Sequence, residues 1–289
     1  MSHDSEASAS TGVSAVAAVQ SEVRLAPPET GAVTPVPLPQ NQRLMMLTTA
    51  LPLLSLAAAW FVAPGWGYIA TSLVLLAFIA VLGQSITGTP FGVLISERNS
   101  MSLSRFQAVT WTVVVVSGYL AMVIARVKTG TPNAVDVAIP QELWWAMGIS
   151  STSLLGTPLL LSGKRSKTPD AKVVDATAAQ LAETSDEINA QRQGALYANK
   201  GIQDARISDM FQGDEVGNTA QIDIAKVQMF FFTAIASVSY FVDIAMSLRR
   251  GGSLTSLPEL SEGLVALLAI SHGGYLVSKT TDHSNSKPS

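Results

Sequence analysis

The stretch LSRFQAVTWTVVVVSGY (103–119) indicates the architecture of the chain, because a similar stretch, IAKVQMFFFTAIASVSY (224–240), follows it at an offset of 121 residues. At this offset, held without gaps, polar and aromatic residues match as well as apolar ones. The matched pairs are Gln107 with Gln228, Thr112 with Thr233, Tyr119 with Tyr240, Leu143 with Leu264, Ile149 with Ile270, and Ser150 with Ser271. Composition alone seldom produces such polar matches, so they predict a tandem duplicated two-helix unit. Convergence of two membrane segments on one composition is the alternative.

Charged residues are scarce and unevenly spaced along the chain. The 289 residues are 48% hydrophobic and 13% charged, whereas about a quarter of the residues of a soluble domain are charged. Charge-free runs reach the roughly 20 residues that cross a bilayer as a helix. The sequence therefore predicts an all-α, polytopic helical membrane protein with about six transmembrane helices. The predicted spans are 44–63, 67–84, 105–126, 143–162, 227–248 and 263–279.

Lysine and arginine residues predict the orientation of these spans. If the N terminus is cytoplasmic, the loops on the inside carry ten of the Lys and Arg residues near span ends, and the loops on the outside carry four. The positive-inside bias then places both termini in the cytoplasm of a bacterial cell, with the protein as a multi-pass component of the inner membrane. Each unit crosses twice, so the two copies are predicted to run parallel to each other. Such copies arise in transporters, or from the fusion of two subunits of an ancestral oligomer.

The predicted spans divide the chain into seven segments. These are a disordered cytoplasmic tail (1–43), a transmembrane hairpin (44–84), an interfacial linker (85–101), a first two-helix repeat (102–162), a cytoplasmic helical linker (163–222), a second repeat (223–279) and a disordered tail (280–289). Within the linker, KTPDAKVVDATAAQLAETSDEINAQRQG (167–194) is predicted to form one helix with Thr168 as its N-cap and Pro169 at its first position. The acidic stretch GDEVGN (213–218) is predicted to form a turn into the second repeat.

Four polar side chains are predicted to lie within the membrane. Gln107 and Gln228 lie about one turn inside their spans, and such amides most often form interhelical hydrogen bonds. Asp243 and His272 occur in the second repeat alone, and ionisable groups at this depth are candidates for function. Arg105 lies in the first turn of its helix, and Lys226 in the equivalent turn of the second unit. Both are predicted to anchor the protein at the membrane surface by reaching toward lipid phosphates.

The sequence favours two functions and argues against others. It contains no cysteine and no signature of a catalytic, metal, cofactor or nucleic-acid site, so we expect a protein that is not an enzyme. The first hypothesis is an anchor or scaffold for a cytoplasmic protein partner, which contacts 1–43 and 163–222. The second is an oligomeric channel or transporter with a pathway near Gln107, Gln228, Asp243 and His272. A homo-oligomer is compatible with both hypotheses.

Overall fold

The computed structural model describes residues 41–251 and 255–288, which form one compact unit. This part of the chain contains eight α-helices and a pair of two-residue strands. The helices are α1 (Asn41–Phe61), α2 (Pro64–Thr87), α3 (Leu103–Lys128), α4 (Gln141–Arg165), α5 (Ala171–Leu181), α6 (Ser185–Gln191), α7 (Ile224–Arg250) and α8 (Glu262–Ser278), and the strands are β1 (Lys167–Thr168) and β2 (Lys287–Pro288). Of the N-terminal segment 1–43, which is predicted to be disordered, residues 1–40 lie outside the described residues, and residues 41–43 belong to α1.

The two long helices of the matched stretches begin in the same way. The Ser102 side chain accepts a hydrogen bond from the backbone N–H of Arg105, and the Asp223 side chain accepts one from the backbone N–H of Lys226. These side chains satisfy N–H groups that the first turn of a helix leaves without a partner. Helices α3 and α7 start 121 residues apart, and α4 and α8 also start 121 residues apart.

The long helices form a bundle around one apolar core. Helices α1 and α2 pack as a hairpin, α2 packs on both α3 and α7, and α4 packs on α8. Helices α3 and α4 contact each other, as do α7 and α8, and α3 also contacts α7. Trp111, Met122, Leu143, Ile244 and Leu268 are fully buried members of this core.

Three helices in the described part of the chain are long and apolar enough to cross a membrane, namely α2, α3 and α7. Helix α8 and the apolar stretch Met46–Phe61 of α1 are apolar but shorter. Helix α4 has 25 residues but does not reach the same hydropathy. The structure therefore supports a helical protein associated with a membrane, and the number of six spans stays a prediction.

Large apolar side chains cover the outside of the bundle. Exposed apolar surface of this extent is unusual for a soluble protein and suits contact with lipid. Examples are Leu53 on α1, Leu73 on α2, Leu155 and Leu159 on α4, Ile235 and Val238 on α7, and Ile270 on α8, each at least 56% exposed.

Residues 166–222, which we call the cap, form a folded layer at the end of the bundle where α3 and α7 begin. Its first part differs from the single helix predicted from the sequence, because α5 ends at Leu181 and its C-cap, Ala182, has a left-handed backbone (φ 57°). Helix α6 then starts with a capping box between Thr184 and Glu187. The N-cap of α5 is Asp170 and not Thr168, because the Asp170 side chain accepts the backbone N–H of Lys172.

The C-terminal segment 279–288, which we call the tail, packs on the cap. This differs from the prediction that residues 280–289 are disordered. Strand β2 pairs with β1 in antiparallel register, with Lys287 opposite Thr168. Ser284 is fully buried, and its carbonyl oxygen accepts the backbone N–H of Asp170. Backbone pairing with the cap therefore orders a segment whose composition is polar.

Candidate functional site

The end of the bundle beneath the cap contains a group of buried ion pairs, which we call the ion-pair cluster. Its members are Arg98, Lys164, Asp214, Glu215, Asp223, Lys226 and Lys279. Asp214 of the cap lies at its centre, with Oδ1 at 2.5 Å from Arg98 Nη2 and 3.1 Å from Lys226 Nζ. Lys279 Nζ contacts the other carboxylate oxygen of Asp214 and lies 3.3 Å from Asp223 Oδ2.

The charge of Asp214 is strongly favoured in this environment. Burial alone would raise its pKa, but the nearby charges of Lys226, Lys279 and Arg98 outweigh burial and hold the pKa of Asp214 well below its usual range. Arg98 also donates hydrogen bonds to the backbone carbonyls of Tyr197 and Asp214. The carboxylate thus joins the bundle, the cap and the loop before α3.

A second buried pair connects α4, the cap and the tail. Lys164 Nζ lies 2.5 Å from Glu215 Oε1, and the side chains of both residues are less than one tenth exposed. Lys164 Nζ also donates to the carbonyl oxygen of Thr281 at 2.5 Å, and Glu215 accepts the backbone N–H of His283. Because a buried charge must be paired to be tolerated, these contacts fix the cap and the tail to the bundle together.

The two residues predicted to be membrane-surface anchors have different surroundings. Arg105 is half-buried and has no hydrogen bond or ion pair through its side chain within the described residues. Lys226 is only 4% exposed, and its Nζ donates to the carbonyl of Gln212 and to Asp214. The geometry of Lys226 therefore differs from that of a lipid-facing anchor, because the cap covers the start of α7 and supplies the carboxylate.

Two of the four predicted intramembrane side chains are buried between helices. Gln107 Nε2 on α3 donates to Thr233 Oγ1 on α7 at 2.7 Å. The His272 Nδ1 atom on α8 lies 2.6 Å from Ser153 Oγ on α4. Each contact joins one helix of the first unit to one of the second.

The other two predicted side chains, Gln228 and Asp243, are exposed on α7. The structure therefore does not place the four residues at a single site within one copy of the protein. Gln107 and Gln228 also differ although they match in sequence, because Gln107 faces Thr233 across the interface whereas Gln228 lies on the outer surface.

We therefore expect unequal effects from two matched substitutions, in contrast to the equal effects that equivalent glutamines would give. Gln107→Leu should lower the free energy of unfolding in detergent by about 1 kcal/mol, because it removes an interhelical hydrogen bond and leaves the Thr233 hydroxyl buried. Gln228→Leu should change it by less than about 0.5 kcal/mol, as is usual at exposed positions. Denaturant titration of both variants tests this, and equal losses would contradict it.

Several buried polar atoms in the bundle have no hydrogen-bond partner among the described residues. They are Gln107 Oε1, Trp111 Nε1, Ser150 Oγ, Ser271 Oγ and His272 Nε2. Buried polar groups normally have a protein or water partner, so these atoms are positions in the bundle interior at which water would normally bind. Ser150 and Ser271 are one of the sequence-matched pairs and share this property.

A polar cleft of 380 Å³ lies on the cap. Its lining includes Glu183, Tyr197, Lys200, Arg206 and Asp209. Lys200 and Arg206 are exposed, and Lys200 Nζ lies 2.9 Å from Glu187 Oε1 in a surface ion pair. Burial and the neighbouring carboxylate of Glu183 raise the pKa of Tyr197 to about 12, so its hydroxyl stays protonated at neutral pH. The cleft thus presents both charges and neutral hydroxyl and amide groups to a ligand.

Sequence reasoning missed Asp214 and Glu215, which it assigned to a simple turn. The only signal was two adjacent carboxylates on the side of the membrane predicted to be rich in Lys and Arg. The Asp214 partners Arg98 and Lys279 are 116 and 65 residues away, and the Glu215 partner Lys164 is 51 residues away, so no local pattern connects them.

Together these features define a helical protein associated with a membrane and closed at one end by a folded, charged cap. No family model, curated protein or solved structure matches the chain. The contacts described above are therefore the basis for any assignment of function.

Proposed function

We propose that this protein is a non-enzymatic integral membrane scaffold whose cap binds a cytoplasmic protein partner. The observation that supports this most directly is the attachment of the cap through buried ion pairs, with Asp214 and Glu215 each held by cations that lie outside the cap. A segment that only linked two spans would not need such pairs. A cap held in one position can present a surface of constant shape to a partner.

The partner would bind at the polar cleft of the cap. Its lining includes the exposed cations Lys200 and Arg206 and the half-buried carboxylate of Glu183, which suits a segment with both charges. Interfaces of this mixed polarity are typical of partners that associate and dissociate. The N-terminal segment 1–43, predicted to be disordered, would supply a second contact.

The membrane arrangement in this proposal has six spans, with the cap in the cytoplasm of a bacterial cell. Helices α1 and α4 have 21 and 25 residues, which at 1.5 Å per residue give about 32 Å and 38 Å, enough to cross a hydrocarbon core of about 30 Å. Helix α8, with 17 residues, is near the lower limit.

A parallel duplication is part of the same proposal. The common offset of the four helix starts supports it, as does the position of two matched tyrosines. Tyr119 donates to the carbonyl of Val135, and Tyr240 donates to the carbonyl of Pro258, each in the loop that follows its helix. Helices α3 and α7 both begin at the cap, as parallel copies require.

The scaffold proposal predicts that charge reversal in the cleft releases the partner. A photo-crosslinker at Ser208, which is exposed and lines the cleft, should capture one cytoplasmic protein in cells. Lys200→Glu and Arg206→Glu should each reduce the crosslinking yield severalfold, because each reverses a charge that the cleft presents to the partner. The charges that they replace are exposed and contribute little to stability, so unfolding would not explain the reduction. Arg250→Glu, which reverses an exposed cation at the opposite end of α7, is the matched control and should leave the yield unchanged.

An oligomeric channel or transporter is the second candidate, and the burial of the polar side chains of Gln107, Ser150, Ser271 and His272 inside the bundle favours it. On the scaffold proposal, Asp243→Asn changes neither the fold nor the crosslinking yield. Ion flux through reconstituted protein, with a selectivity that changes in Asp243→Asn, would instead establish a channel if no cytoplasmic protein is captured at Ser208.

A further inference from the structure

A second cavity, of 440 Å³, lies between α3, α4 and the loop before α3. Three arginines line it, namely Arg98, Arg105 and Arg165, with Glu97 as the single acidic residue of the lining. Apolar residues form much of the remaining lining, among them Val109, Leu154 and Pro158. The cavity therefore combines excess positive charge with an apolar wall.

These two kinds of residue are separated along the bundle axis. Arg105 is in the first turn of α3, and Val109 follows it by about one turn. Arg165 ends α4, and Pro158 and Leu154 precede it by roughly 10 Å and 16 Å at 1.5 Å per residue. The charged groups are thus at the cap end, and the apolar wall extends toward the middle of the bundle.

The three guanidinium groups differ in how far they are already occupied. Asp214 and two carbonyl groups hold Arg98. Arg165 Nη2 is 2.8 Å from Glu97 Oε1, but both side chains are more than one third exposed, so this pair is weak and can exchange partners. Arg105 makes no hydrogen bond or ion pair through its side chain in the described part of the chain. Arg105 is therefore the group most available to an anion, with Arg165 beside the same cavity.

We propose that this cavity binds one anionic phospholipid of the bilayer. Its phosphate would lie against Arg105 and Arg165, because a planar guanidinium group can donate two parallel hydrogen bonds to phosphate oxygens. One acyl chain would follow Val109, Pro158 and Leu154 toward the membrane interior. A free phosphate would use the cations alone and leave this apolar wall without an occupant.

A neighbouring cavity provides room for the second chain. It measures 600 Å³, lies between α2, α3 and α7, and shares Val93 and Val109 with the first cavity. Its lining is mainly apolar and includes Leu73, Leu76 and Val238, all of which are exposed. The two cavities together match a lipid with one headgroup and two chains.

The inference rests on the membrane embedding of the proposed function but not on the scaffold role. It is tested with the delipidated full-length protein in mild detergent, by the melting temperature as phosphatidylglycerol is added. Phosphatidylglycerol should raise the melting temperature in proportion to its occupancy, whereas phosphatidylcholine should not. Arg105→Gln should weaken the apparent affinity about five- to tenfold.

Two further variants separate lipid binding from a general loss of charge or fold. Leu154→Trp fills the apolar part of the cavity without changing charge and should also weaken phosphatidylglycerol binding. Arg250→Gln removes one cation at the opposite end of α7 and should bind as the unsubstituted protein does. If Arg105→Gln does not fold, Leu154→Trp alone decides between a lipid and a small anion.

Four outcomes would overturn the inference. Equal stabilisation by phosphatidylcholine would show that the headgroup is not recognised, and unchanged binding in both Arg105→Gln and Leu154→Trp would place the lipid elsewhere. An equal effect of inorganic phosphate would indicate a small-anion site. An equal effect of a polyglutamate peptide would indicate a surface for an acidic protein. None of these results would affect the crosslinking test of the scaffold.

Discussion

Asp214→Asn is expected to lower the free energy of unfolding by about 3–5 kcal/mol, the range for removing one partner from a buried ion pair. The carboxylate is 8% exposed and contacts three cations, Arg98, Lys226 and Lys279. Its neutral replacement leaves these cations buried beside one another with Asp223 as the remaining carboxylate of that group. Denaturant titration in mild detergent, with limited proteolysis of the cap, measures the loss.

Two variants check the physical reason for this loss. Asp243→Asn removes an exposed carboxylate from α7 and should change stability by less than about 0.5 kcal/mol. Adding Lys226→Met to Asp214→Asn should restore part of the lost stability, because it removes one cation that has lost its partner. Additive losses in the double variant would contradict the ion-pair explanation.

The same carboxylate predicts how the stability difference between the unsubstituted protein and Asp214→Asn depends on pH. The pKa of Asp214 is lowered in the folded protein, so its charge stabilises the fold above the unfolded pKa of about 3.9. The difference should not decrease between pH 7 and about pH 5, and it should decrease below about pH 4, as the pH falls toward the folded pKa. A decrease between pH 7 and pH 6 would show that another group is responsible.

Gly194→Ala should give the second large effect, a loss of about 2–5 kcal/mol. Gly194 has a left-handed backbone (φ +64°), which costs a non-glycine residue about 1–2 kcal/mol. Its added Cβ would also overlap the backbone of Arg165 at the end of α4, and overpacking costs about 1–3 kcal/mol more. The next residue, Ala195, donates its N–H to the carbonyl of Lys164, so the overlap would separate the cap from α4.

Gly130→Ala is the matched control for this substitution. Gly130 has nearly the same backbone (φ +67°), but no atom of the described residues lies within 4 Å of the position of its added Cβ. It should therefore lose the backbone contribution alone, about 1–2 kcal/mol. The difference between the two variants measures the close contact of the cap with α4, and equal losses would mean that this contact contributes nothing.

The long helices and the residues at which they start follow from local sequence patterns. Ser and Asp are favoured at N-caps, and Ser102 and Asp223 both accept the backbone N–H three residues ahead, because capping depends only on neighbouring residues. Apolar runs likewise indicated α2, α3 and α7, the three helices that are long and apolar enough to cross a membrane. The same local rules failed at Ala182, where one predicted helix became two, because a left-handed residue and a capping box interrupt it.

Which polar side chains are buried, and which partners they contact, depends on the packing of the folded chain. Gln107 and Gln228 occupy matched sequence positions, yet one bonds to Thr233 between helices and the other is exposed. In the sequence, Asp214 resembles a residue of a surface turn. In the folded cap it lies among cations that are distant in sequence. Burial depends on which helix face meets a neighbour, and ion pairing depends on charges that only the folded chain brings within 4 Å. Neither property is contained in the local pattern of residues.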